Sequence, residues 1–305
     1  MEHASPRTHP GVWLALVVME VIWGVHFVVA KMALQSFPPT ALAAIRVTFA
    51  SAALMAFAAA TGALRRLTRR DVRDALVLGL SGVAANQLFW IIGLGWTSPS
   101  HSALIVSTIP IGVLLLAALF LREPITRWRA AGAVLAIAGV ATLMFAAPAA
   151  PHPGGSAEPS LRGDLFTLGT VIAWSVYTLS GKKVVDRAGA AGVTAIAHLT
   201  GVVLLVPIGL PALAAMKWSA VPASGWLGVG YVSLLSSAVA YLLYFWGLGR
   251  LGAGRVALLA YLQPPIAALV SVLFLHEQPT LALGAGAAAV LAGLAIAQRA
   301  PVREA

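Results

Sequence analysis

From Ala75 to Leu121 the chain reads ALVLGLSGVAANQLFWIIGLGWTSPSHSALIVSTIPIGVLLLAALFL, without one Asp, Glu, Lys or Arg. A helix rising about 1.5 Å per residue crosses the hydrocarbon core of a bilayer in about 20 residues, so this stretch is too long for a single span. The run Trp96-Thr97-Ser98-Pro99-Ser100 divides it, because serine and proline together favour a turn. Two membrane helices joined by a short polar turn result. Working outward with charges and turn formers as punctuation gives ten apolar segments, near residues 12–31, 40–61, 73–95, 101–121, 128–147, 163–181, 191–213, 223–246, 255–275 and 281–298. The expected fold is an all-α polytopic membrane protein with ten transmembrane helices. The first segment reads as a span and not as a removable leader, being too long and lacking a small-residue cleavage pattern.

Composition agrees. Of 305 residues, 60% are hydrophobic and 10% charged, and the mean hydropathy is +0.90. Soluble domains carry roughly 25% charged residues, so a water-soluble globule is excluded, as is a disordered chain. The absence of cysteine excludes a disulfide scaffold. A net charge of +10 raises the question of nucleic acid, and the placement of the basic residues answers it. With the N-terminus in the cytoplasm, that side receives 16 Lys and Arg, among them Arg65, Arg66, Arg69, Arg70, Arg127, Lys182 and Arg250. The other side receives three, Lys31, Arg162 and Lys217. This is the asymmetry of a membrane protein held against anionic lipid, with both termini cytoplasmic; no nucleic-acid surface is required. High Ala, Gly and Arg usage suits a bacterial inner membrane.

The chain is one motif written twice. Trp23-Gly24-Val25-His26 leading to Lys31 recurs as Trp174-Ser175-Val176-Tyr177 leading to Lys182, an offset of 151. Farther along each half the offset is 154. Gly93-Leu94-Gly95 matches Gly247-Leu248-Gly249, Pro110 matches Pro264, Glu123 matches Glu277, and Thr126 matches Thr280. Five spans per repeat is an odd number, so the second copy is inverted relative to the first. The expected organisation is a first five-helix repeat over 1–146, an extracytoplasmic Pro/Gly linker over 147–162, and a second repeat over 163–305. Inverted repeats are a recurring construction of secondary transporters, with substrate held near the midplane between the copies.

The patterns Trp23-Gly24 to Lys31, Pro38-Pro39 to Arg46, Leu121-Arg122-Glu123-Pro124-Ile125-Thr126 and Leu275-His276-Glu277-Gln278-Pro279-Thr280 resemble the EamA-type members of the drug/metabolite transporter superfamily. The likeness runs from about residue 12 to 298 and includes the five-plus-five arrangement. It implies a carrier, commonly an exporter, for small metabolites such as amino acids or drugs. Two positions depart from the pattern: Glu20, where such proteins usually have an uncharged residue, and Arg122, where many have Gly.

Glu20 falls about 12 Å inside the first span, close to its middle. An ionised carboxylate is costly there, so the side chain is expected to face the bundle interior, where it could take up and release a proton. The alternative is a neutral Glu bonded to a neighbouring helix, and the repeat carries Val171 at this position. Pro110 in the fourth segment and Pro264-Pro265 in the ninth should kink their helices, freeing the carbonyls of Val106, Ala260 and Tyr261. Candidate substrate-binding residues are Trp23, His26, Asn86, Gln87, Trp90, Ser107, Trp174, Tyr177, Tyr241, Tyr244, Tyr261 and Gln263, since rings supply contact area while amides and imidazole supply orientation. Packing or an interfacial aromatic belt is the competing reading for several of them. For Lys31 and Arg46 the expectation is snorkelling to the outer surface, with attraction of an anionic group as the alternative. Glu123 and Glu277 read as helix-boundary residues beside the N-caps Thr126 and Thr280. Small faces in segments five and ten, Gly132-Ala136-Gly139 and Gly286-Ala289-Gly293, read as scaffold.

No nucleotide-binding Gly-x-x-x-x-Gly-Lys run occurs, so gradients would supply any energy. No paired aspartates or His-Glu-x-x-His point to an enzyme, and no charged ring or carbonyl-filter motif points to a channel. The expected partners are a small-molecule substrate, lipid and protons, with no cofactor and no metal. Facilitated diffusion without coupling remains the near rival.

Overall fold

The computed structural model describes residues 10–121, 125–145, 159–251, 256 and 259–298. Arg122, Glu123, Arg255 and most of the expected linker lie outside these residues, as do both chain ends. Among the described residues the structure is helical, without strands. The long helices are α1 (Pro10–Ala33), α2 (Pro39–Ala60), α3 (Arg69–Gly95), α4 (Pro99–Phe120), α5 (Arg127–Phe145), α6 (Leu161–Ala188), α7 (Ala190–Ala215), α8 (Ala223–Leu251), α9 (Ala260–Leu275) and α10 (Leu281–Gln298). Six of them, α1–α4, α7 and α8, are long and apolar enough to cross a bilayer, and α9 and α10 are shorter apolar helices. The protein is a polytopic integral membrane protein.

Local chemistry fixes the helix ends. Thr68 and Asp71 form a reciprocal capping box at the start of α3. Ser98 opens α4 by accepting from the His101 N–H, and Ser160 opens α6 by accepting from the Gly163 N–H. Thr126 and Thr280 cap α5 and α10 as their sequence positions suggest, accepting from the N–H groups of Arg129 (3.3 Å) and Leu283 (3.0 Å). His276 ends α9 in the left-handed region at φ 54°. Large apolar side chains such as Leu119, Phe120, Val134, Val203, Leu227 and Leu269 point outward, which is stable only against lipid tails.

Packing follows a simple scheme. Helix α1 lies against α8 and α9, and α6 lies against α3 and α4. Helix α2 packs on α7 and α8, and α7 packs on α2 and α3. Helices α5 and α10 pair with each other through the glycine faces. A Cβ at Gly139 would stand 2.8 Å from the Gly286 carbonyl oxygen, and one at Gly132 would collide with the Gly293 carbonyl.

Four helices depart from regular α geometry. Helix α4 is interrupted at Ser107–Thr108, one turn before Pro110, where the proline cannot bond to Val106. The hydroxyls of Ser107 and Thr108 return to the carbonyls of Leu104 (2.7 Å) and Ile105 (2.6 Å). Helices α3 and α8 each contain a π-helical stretch, Leu80–Ala85 and Tyr231–Val239. Pro264 and Pro265 sit in the first turn of the α-helical part of α9, behind a 3₁₀ turn over Ala260–Leu262, a position that suits proline because the first N–H groups of a helix need no partner.

Candidate functional site

The interior of the bundle is aromatic. Trp23 from α1 meets Trp174 from α6 (centroids 5.6 Å apart) and Tyr241 and Tyr244 from α8 (6.1 and 5.7 Å). Trp174 in turn contacts Tyr177, Tyr241 and Tyr244 at 5.1–5.3 Å. Most of these contacts are edge-to-face, the arrangement that ring quadrupoles favour. The π-helical stretches provide polar anchors for the rings. The Trp23 indole N–H donates to the Ser236 carbonyl (3.1 Å), and the Tyr241 hydroxyl donates to the Gly82 carbonyl (3.1 Å). Tyr244 shares a hydrogen bond of 2.9 Å with Thr178.

On one side of this cluster lies Glu20, 1% exposed, whose carboxylate accepts from the Gln263 amide at 2.6 Å. The pair joins α1 to α9. On another side His26 stacks on Trp90 (4.1 Å, 19° between planes). The Nε2 of His26 and the hydroxyl of Tyr177 are buried without a hydrogen-bond partner among the described residues. Asn86 lies 3.5 Å from the Tyr241 hydroxyl, and Gln87 is buried on the same helix.

Ten of the sequence-derived candidates therefore meet in one region: Trp23, His26, Asn86, Gln87, Trp90, Trp174, Tyr177, Tyr241, Tyr244 and Gln263. Ser107 instead turns back on its own helix, and Tyr261 packs with the apolar group of Ile111, Val171 and Leu294.

Two residues depart from the snorkelling expectation. Lys31 is 6% exposed; its ammonium donates to the carbonyls of Leu94 and Thr97 at 2.6 Å each, at the C-terminus of α3. The Leu94 carbonyl lies in the last turn of α3 and offers a buried cation an acceptor at the negative end of the helix dipole, and Thr97 just beyond the helix adds a second acceptor. Arg46 is 4% exposed. Its Nε donates to the Ser237 hydroxyl at 2.6 Å, and its guanidinium lies 5.1 Å from the centre of the Trp90 ring. Ser237 itself donates to the Val232 carbonyl within the π-helical stretch of α8 (2.8 Å). The signal for Arg46 was in the sequence, a cation within an otherwise apolar segment, but nothing there showed that a serine 191 residues away would hold it.

At the end of the bundle where α3 stops, a polar network ties helices together. Thr97 donates to Asp164 (2.5 Å), with His101 3.5 Å from the same carboxylate. Glu277 accepts from Ser98 (2.5 Å), Ser100 (2.9 Å) and Ser271. At the opposite end of α3, Arg187 bridges Asp71 (2.5 Å) and Asp74 (2.9 Å). No group of three or more His, Cys, Asp or Glu side chains suited to a metal ion occurs among the described residues.

Comparison with known proteins agrees with this picture. The chain is 29% identical to a protein of Streptantibioticus cattleyicolor named a probable terminal-alkyne amino-acid exporter, over 94% of this chain and 93% of that one. It is 26% identical to an uncharacterized transporter of Archaeoglobus fulgidus, over 94% and 98%. To the uncharacterized inner membrane transporter YedA of Escherichia coli it is 26% identical, over 84% and 80%. A crystal structure with 21% sequence identity shares the fold, with a TM-score of 0.65 over 94% of this chain and 96% of that chain. These relatives are described as transporters, not enzymes. The model of the EamA-like transporter family matches residues 9–145 and again 161–298. The chain belongs to the EamA-like transporter family, and its work is membrane transport.

Proposed function

We propose that the protein is a secondary transporter that moves small organic metabolites, amino acids among them, by alternating access, acting as a proton-coupled exporter in a bacterial inner membrane. The observation that carries this reading is the Glu20–Gln263 pair, a carboxyl held in the middle of α1 beside the aromatic cluster. A carboxyl at that depth is costly to keep without a task, and one next to the substrate region can exchange its proton for substrate. The name of the Streptantibioticus relative supports amino acids as the class and export as the direction. The candidate substrate-binding residues are the ten that meet around Trp23 and Trp174, with Ser107 and Tyr261 at the margin and Pro110, Pro264 and Pro265 shaping α4 and α9.

The same reading takes all ten helices as spans, in two inverted halves over 1–146 and 163–305 joined through 147–162, with both termini cytoplasmic. Several observations favour it. The family model matches twice. Replacing each helix by the one five places later turns the α1–α8, α1–α9 and α2–α8 contacts into α6–α3, α6–α4 and α7–α3, all of which occur. At the offset of 154, Leu80–Ala85 falls on residues 234–239, inside the second π-helical stretch. Such symmetry makes the inward-open and outward-open states close in energy, the condition for a carrier.

In proteoliposomes, an imposed pH gradient should drive labelled amino acid uphill through the wild type. Glu20→Gln should lose that drive by about tenfold or more while still exchanging substrate down its own gradient. Full gradient-driven movement in the variant would leave an uncoupled facilitative carrier as the correct description.

A further inference from the structure

Arg46 is a buried cation with an unfilled coordination shell. A guanidinium has five N–H donors. Here Nε is used by Ser237, and the four on Nη1 and Nη2 have no hydrogen-bond partner among the described residues. Nor does a counter-ion stand beside it. Each carboxylate among the described residues is engaged elsewhere: Glu20 by Gln263, Asp71 and Asp74 by Arg187, Asp164 by Thr97, Asp186 by Lys182, and Glu277 by three serines. Among the described residues the Trp90 face and the nearby Tyr241 add compensation beside the serine, and neither is an anion. Inside a helix bundle a charge left in this state is unfavourable unless water or an anion completes its shell. The hydrogen bond from Arg46 to Ser237, fixed in turn to the backbone of α8, holds the guanidinium in one orientation, as a binding group requires.

We propose that Arg46 is the anchor for a carboxylate of the transported molecule. Nη1 and Nη2 offer the parallel donors that match two carboxylate oxygens, and the apolar part of the molecule lies against Trp90, Tyr241 and Trp23. The substrate class is thus a small monocarboxylate with an apolar side chain, an amino acid being the plainest case. The proposal rests on the carrier reading above and adds to it the residue that selects for the acid group. It assigns Arg46 a task separate from that of Glu20, which stays free to handle a proton.

The test uses the purified full-length chain and paired ligands that differ only at the acid: L-phenylalanine, L-leucine and L-propargylglycine, each against its own amide. Binding is read by tryptophan fluorescence and by the thermal shift of the protein. For at least one pair the wild type should bind the acid at least about tenfold more tightly than the amide, since a charge-assisted bidentate pair is lost. Arg46→Gln should bind both members of that pair alike, and Arg46→Lys should keep part of the preference. The wild-type comparison needs no substitution, so it decides the matter even if Arg46→Gln does not fold. Wild-type binding of acid and amide with equal affinity overturns the role of Arg46 while leaving the carrier reading in place. An Arg46→Gln variant that keeps the wild-type preference does the same. No binding of any member, together with no movement of any across proteoliposomes, overturns both.

Discussion

Lys31 shows how a single side chain can be read correctly in type and wrongly in role. A lysine at the end of an apolar segment has a flexible stem and ordinarily reaches water. Here α3 ends beside it, and the carbonyls of Leu94 and Thr97 take the ammonium of a buried side chain. Lys31→Met should therefore leave buried carbonyls unpaired and lower stability by about 1.5–3 kcal/mol, the range for hydrogen bonds to charged groups. Equilibrium unfolding in mixed micelles measures this, and an unchanged midpoint would return Lys31 to the surface role. Glu20 was legible as an interior residue because depth and charge are local properties. Its partner was not, since Gln263 lies 243 residues away and only the fold brings them together. Arg46 escaped the sequence-based candidate site for a related reason: a cation near a span end looks alike whether it turns outward or inward.

At the scale of elements, charges, turn formers and caps marked where helices begin and end, because those signals act within a few residues. The π-helical stretches of α3 and α8 gave no such signal. Leu80–Ala85 contains Gly82, where a Cβ would collide with the Tyr177 ring, so a close approach from another helix accompanies this local geometry. Stretches of this kind are common at functional sites, and here they place the Gly82 and Ser236 carbonyls where Tyr241 and Trp23 can use them. The small faces of α5 and α10, by contrast, were readable as a spacing of glycines. Their pairing lies apart from the aromatic cluster, which predicts a separation of stability from binding. Leucine at both Gly132 and Gly139 should force the two helices apart, costing about 1–3 kcal/mol per site. A thermal-shift measurement should then show a lower transition temperature with ligand affinity altered less than twofold. A large loss of affinity instead would place α5 and α10 in the transport path.

The whole molecule is tied at two ends. Beyond the C-terminus of α3, Ser98 and Ser100 meet Ser271 around the Glu277 carboxylate, and Thr97 meets Asp164; at the N-terminus of α3, Arg187 holds Asp71 and Asp74. Each set joins a residue of the first family match to one of the second. A carrier working by alternating access opens one end while the other stays shut, so both sets cannot persist through a cycle. The chain has no cysteine, which allows a direct test. Ser100 and Ser271 donate to the same oxygen of Glu277, so the double variant Ser100→Cys, Ser271→Cys places two thiols within reach of a short bifunctional reagent. Bridging them should reduce transport in proteoliposomes by about tenfold or more, because a closed end then cannot part. Reduction of a cleavable bridge should restore the rate, and each single variant should be unaffected by the reagent. Undiminished transport after complete bridging would mean that substrate passes without separation of α4 from α9, and the two halves would then have to move along a different line of contact.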